Sequence, residues 1–145
     1  MLRIERVKGA VPVLAVAALL MIGGAPAVLA HQCVSVEILR APDVANPGDL
    51  IETESSASNC GDPARGFVLS WVLVSETGDR ILLKKTVARI APGGTIAGLN
   101  RLLLPRRLRP GIYDLTYFGE EPSGFTDTDT VRIVIRPRQG GGRGH

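Results

Sequence analysis

What most constrains this chain is a spacing of two. Val34, Val36 and Ile38 alternate with Ser35 and Glu37, and Ile51, Thr53, Ser55 and Ala57 alternate with Glu52 and Glu54. Phe67, Leu69, Trp71 and Leu73 form one side of a run whose other side is Val68, Val72 and Val74. Near the end, Val131, Ile133 and Ile135 oppose Arg132 and Arg136. Side chains two apart share one face of a strand, whereas a helix needs a period of about 3.6. After Cys33 no stretch carries a sustained helical period bounded by caps, so the folded part reads as all-β.

The breaks between runs have turn chemistry. Ala41–Asp49 holds two prolines and a glycine, Asn59–Pro63 reads as a loop, and Glu76–Asp79 turns the chain. Ala91-Pro-Gly-Gly94 places Pro and Gly where a type II turn requires them. Gly119–Asp127 reads as a polar loop. Between these breaks the pattern predicts about seven strands in about a hundred residues, the proportion of a two-sheet sandwich. Phe67–Ser75, apolar on both sides, is expected to be central and covered on both faces. Leu50–Ser58 has a small, partly polar inner face and is the weakest core element. Lys84 and Lys85 mark Arg80–Ile90 as an exposed edge. Thr95–Leu104 is a strand of ambiguous face, and Tyr113, Leu115 and Tyr117 should point inward.

The leading segment is of another kind. Arg3, Arg6 and Lys8 precede an uncharged stretch from Gly9 to Ala30, which Gly23, Gly24 and Pro26 interrupt before Val28-Leu29-Ala30. This is the order of a secretory signal peptide, expected to be helical and cleaved after Ala30. The alternative is an uncleaved membrane anchor. Residues 31–137 are then a single folded domain, and 138–145 a disordered Gly/Arg tail with nothing to bury. Much of the net charge of +3 sits in the leader, so composition gives no reason to expect nucleic acid as a partner. In an exported domain the two cysteines, Cys33 and Cys60, are expected to form one disulfide. It would join the start of the first strand to the exit of the second.

Asn46-Pro-Gly-Asp49 before a strand, Asn59-Cys-Gly61 after it, Ala91-Pro-Gly-Gly94, and Leu108-Arg-Pro-Gly-Ile-Tyr113 together resemble the immunoglobulin-like modules of bacterial surface proteins, of the CARDB type. The resemblance spans Cys33 to Pro137 and rests on turn chemistry, so it speaks to fold more than to function. It implies a seven-stranded immunoglobulin-like sandwich. Tyr113 stands where a tyrosine corner belongs, its hydroxyl returning to nearby backbone. Leu115 stands where antibody-type domains carry a cysteine, so the inter-sheet disulfide of those domains is missing. Trp71 is placed to be the central core aromatic.

Little in the chain supports catalysis. The only histidines beyond the leader are His31 and His145, so no base lies within the fold beside a Ser or Cys nucleophile. If cleavage follows Ala30, His31 becomes the N-terminus, where amine and imidazole together could chelate copper. Glu120, Glu121, Asp127 and Asp129 form an acidic cluster without EF-hand spacing, read as a solvated loop in preference to a calcium site. Arg101, Arg106, Arg107 and Arg109 surround Leu102–Pro105 and could meet an anionic polymer or an acidic surface. The expectation is therefore a periplasmic or secreted, non-enzymatic binding or structural module without a cofactor. It would contact an envelope or extracellular protein, or a copy of itself, and a membrane only if the leader is retained. Copper binding through His31 is the alternative.

Overall fold

The structure is a computed structural model that describes residues 33–61 and 65–140. These form eight strands: β1 (Val34–Arg40), β2 (Val44–Ala45), β3 (Leu50–Asn59), β4 (Arg65–Ser75), β5 (Arg80–Ile90), β6 (Thr95–Leu103), β7 (Gly111–Glu120) and β8 (Thr126–Ile135). They make a three-stranded sheet in the order β1-β3-β6 and a five-stranded sheet in the order β2-β8-β7-β4-β5. Every pairing is antiparallel except β2 with β8. The strand beyond the expected seven is β2. It lies within the Ala41–Asp49 turn region, where Val44 and Ala45 pair in parallel with Val134 and Ile135. The two residues are too few to show a period in sequence.

The two sheets meet across one core, built from the alternating positions. Val36, Ile38, Ile51 and Leu102 come from the smaller sheet, and Phe67, Leu69, Trp71, Leu73, Leu115, Ile133 and Ile135 from the larger. Burying an apolar side chain of this size contributes about 1.5–3 kcal/mol. Trp71 stacks on Tyr117 with ring centroids 4.6 Å apart. The inner face of β3 is as small as expected, and Thr53, Ser55 and Ala57 are all buried. Strand β4 is central, between β7 and β5. Its outer face is not fully covered, however: Val68 and Val74 are only half-buried, because no described element forms a third layer over them.

Three turns fix the frame. Gly93 has φ +68° and the Gly94 N–H donates to Ala91 O at 2.8 Å, closing the turn between β5 and β6. The Tyr113 hydroxyl donates to Arg109 O at 2.9 Å, the corner expected from its position. Between β7 and β8 the loop is shorter than the sequence suggests. Strand β7 runs on to Glu120 and β8 starts at Thr126. The Thr-Asp-Thr-Asp-Thr run at 126–130 is polar yet alternates with period two, and pairing with β7 overrides the low strand propensity of Asp127 and Asp129.

Candidate interaction site

A sandwich has two lateral sides where the sheets approach each other, and here they differ. On one side β1 lies against β7 and β8. Gly119 faces inward on β7, and a Cβ there would stand 2.6 Å from Val36 Cγ1 and 3.2 Å from Val34 Cγ2. The missing side chain lets β1 close down. The outer edge of β1 would leave backbone N–H groups unpaired, a standing hazard of edge strands. Here Asp127 Oδ2 accepts from the Val36 N–H at 2.9 Å and Asp129 Oδ2 from the Ile38 N–H at 2.7 Å. Two residues of the expected acidic loop are thus strand residues that cap an edge. Glu121 is buried, with Oε1 accepting from the Ser123 hydroxyl. Among the described residues no group of three or more His, Cys, Asp or Glu is arranged to hold a metal.

The other side is open. Strands β5 and β6 are edges of different sheets, connected in sequence by the 91–94 turn. Between them lies a cleft of about 240 Å³, lined by Thr86, Val87, Ala88, Ile96, Gly98 and Leu99, with Trp71 and Tyr117 at its base. Gly98 pairs with the buried Ser55 and so faces inward, but a Cβ there would meet nothing within 4 Å. The rim is apolar and exposed: Val87 is 73% and Leu99 63% accessible.

A polar chain crosses between the sheets beside this cleft. Lys84 Nζ donates to Asn100 Oδ1 at 3.2 Å, and Asn100 Nδ2 donates to Ser55 Oγ at 3.0 Å. Ser55 in turn is hydrogen bonded to the Tyr117 hydroxyl. Burial pushes the Tyr117 phenol above its ordinary value of 10.0, and the Ser55 bond offsets part of the rise. Strand β5 is the edge that Lys84 and Lys85 marked in sequence, and Lys84 itself faces Asn100 because it pairs with inward-facing Trp71. Only Lys85 remains as the outward guard of that pair. The indole Nε1 of Trp71 is buried without a hydrogen-bond partner among the described residues.

The residues singled out from sequence are distributed as follows. Cys33 and Cys60 are joined in a disulfide with Cα atoms 5.0 Å apart, beside the Val34–Asn59 pair. Trp71, Tyr113 and Leu115 are in the core. Arg101 parts from the other loop arginines: it lies on β6 and pairs with Glu52 at 3.3 Å, whereas Arg106, Arg107 and Arg109 lie beyond the strand. The leader, its cleavage site, the copper candidate His31 and residues 141–145 lie outside the described residues. Sequence reading missed Gly98 and the Lys84–Asn100–Ser55–Tyr117 chain. The one signal for them was the small, polar inner face of β3.

This arrangement defines an immunoglobulin-like two-sheet β-sandwich whose fold is like that of a CARDB domain. No family model matches the chain, and no curated protein matches it. Among solved structures it is similar to the CARDB domain of the PF1109 protein from Pyrococcus furiosus, solved in complex with di-metal ions. The TM-score is 0.53 at 18% identity, covering 72% of this chain and 88% of that one. Spo0M, a sporulation control protein of Bacillus subtilis, matches at TM-score 0.53 and 14% identity, covering 72% of this chain and 49% of that one. A β-glucosidase of Listeria innocua matches at TM-score 0.55 and 17% identity, with 71% of this chain covered. This chain spans only 16% of that enzyme. At such identities the likeness is one of fold.

Proposed function

We propose that this chain is an exported, non-enzymatic binding module of the cell envelope, and that the open β5–β6 side receives an extended segment of a partner protein. The observation that carries this reading is the pair of free edge strands flanking an apolar cleft in a sandwich whose opposite side is sealed. A partner strand added to a free edge gains main-chain hydrogen bonds, and its alternate side chains seek pockets. Gly98 leaves room for one apolar side chain above Trp71 and Tyr117.

Charge favours a partner over a second copy. Strand β5 carries Arg80, Lys84, Lys85 and Arg89, β6 carries Arg101, and neither carries a carboxylate. Two copies meeting edge to edge would oppose like charges, whereas a segment of alternating apolar and acidic residues is complementary. The non-enzymatic part of the reading rests on the missing base, since the described residues include no histidine. Export rests on the leader pattern and is supported by the Cys33–Cys60 bridge.

A photo-crosslinking residue at Val87, in the full chain expressed in cells that export it, tests this proposal. The expected result is a discrete adduct with one other protein, lost when Gly98→Leu fills the cleft while the melting temperature is kept. An adduct that survives Gly98→Leu, an adduct only with a second copy, or no adduct beyond that of a probe at Thr130 on the sealed side overturns it.

A further inference from the structure

A second feature stands apart from the β5–β6 side: the exposed arginines differ in what they face. Three on the strands have a carboxylate across the sheet. Arg40 lies 3.9 Å from Glu54, Arg101 3.3 Å from Glu52, and Arg132 3.8 Å from Asp114. Arg106, Arg107, Arg109, Arg136 and Arg138, at one end of the sandwich, are exposed and have no such partner among the described residues. Three of them, Arg106, Arg136 and Arg138, line a single cleft of about 850 Å³ together with Asn46, Gly48 and Asp49. Arg107 and Arg109 line a neighbouring cleft of about 480 Å³.

The backbone that carries Arg106 and Arg136 is held in place. Gly48, at φ +85°, donates its N–H to Pro105 O at 3.1 Å, and the Leu104 N–H donates to Asp49 O at 2.9 Å. A Cβ on Gly48 would stand 3.3 Å from Arg106 Cγ, so glycine allows the turn bearing Arg106 to seat against residues 46–49. The Arg136 N–H donates to Ala45 O at 2.9 Å, which fixes the second root. One oxygen of the carboxylate in the cleft, Asp49 Oδ2, accepts from Asn46 N at 2.8 Å and Asn46 Nδ2 at 3.2 Å.

We infer that this end of the sandwich is an anion-binding site for a polymer bearing clustered phosphate or carboxylate groups, with Arg106, Arg136 and Arg138 as its ligands. A guanidinium stays charged at any working pH and meets an oxyanion through two parallel hydrogen bonds. Three converging on one concavity repel each other, and a multivalent anion relieves that repulsion. The cleft is polar and concave, and the segments that carry Arg106 and Arg136 are tied to the sheets.

The test uses the full chain, fluorescence anisotropy at low salt, and two probes: inorganic polyphosphate and poly-L-glutamate. The variant Arg106→Ser/Arg136→Ser/Arg138→Ser should weaken binding at least about tenfold. The variant Arg40→Ser/Arg101→Ser/Arg132→Ser removes the same charge from the sheet faces and should stay within about twofold of the parent. Added salt should weaken the parent's binding, as for any screened ionic contact. Binding of polyphosphate alone assigns the ligand to phosphate, and binding of polyglutamate alone assigns it to carboxylate. If neither probe binds, or if both triple variants lose affinity equally, the site does not exist.

Discussion

Gly119 and Gly98 both face the interior, on opposite sides of the sandwich, and their surroundings differ completely. A Cβ on Gly119 would run into Val36 Cγ1 at 2.6 Å, while one on Gly98 would meet nothing within 4 Å. The same residue type serves close approach on one side and leaves a vacancy on the other. The Gly119 side is finished in other respects too, with Asp127 and Asp129 capping the β1 edge and the Cys33–Cys60 bridge anchoring its start. The Gly98 side has two bare edges, an apolar rim and a basic charge. Sealing one side so thoroughly shows that this fold has the means to close an edge. The open side is therefore the one to which we assign the proposed partner segment.

The contrast can be broken from its sealed side first. Cys33→Ser/Cys60→Ser releases the start of β1 and should cost about 3 kcal/mol, read as a lowered urea midpoint at unchanged slope. Gly119→Ala should cost about 1–3 kcal/mol, because the clash falls on packed Val36 in the core. Asp129→Ala leaves the Ile38 N–H unpaired and should cost about 1–2 kcal/mol. Hydrogen exchange at Ile38 should quicken in that variant, and if it does not, the carboxylate is not the cap.

The open side should answer differently. Gly98→Ala is expected to be neutral or to stabilise by up to about 0.5–1 kcal/mol, since space is free and glycine weakens a strand interior. A loss as large as that of Gly119→Ala would erase the distinction between the sides. The smallest effect concerns Tyr117. Its phenol ionises at higher pH folded than unfolded, so this contribution to stability is complete below pH 10.0 and is lost as pH rises toward the folded value. Between about pH 8 and about pH 10.5 the parent should therefore lose more stability than Tyr117→Phe.

Much of this was legible in the chain. The alternation of Val34, Val36 and Ile38, and of Phe67, Leu69, Trp71 and Leu73, marks strands and their inner faces because a pleated strand has period two. The turns at 46–49 and 91–94 and the corner at Tyr113 are written in local chemistry. What sequence could not decide was which polar residues serve the interior. Asp127 and Asp129 look like loop acids until β8 brings them to the β1 edge, a partner 91 residues away. Lys84 looks like an edge guard until the register with Trp71 turns it inward.

The chain by itself determined its fold class, its seven longer strands, its one disulfide and the leader pattern, since each is set by spacing or by residue chemistry within a short window. The tertiary structure alone decided which lateral side is sealed and which is open. It also decided which arginines find a carboxylate and which converge without one. These depend on how two sheets are juxtaposed, and no local period encodes the distance between edges that are far apart in sequence.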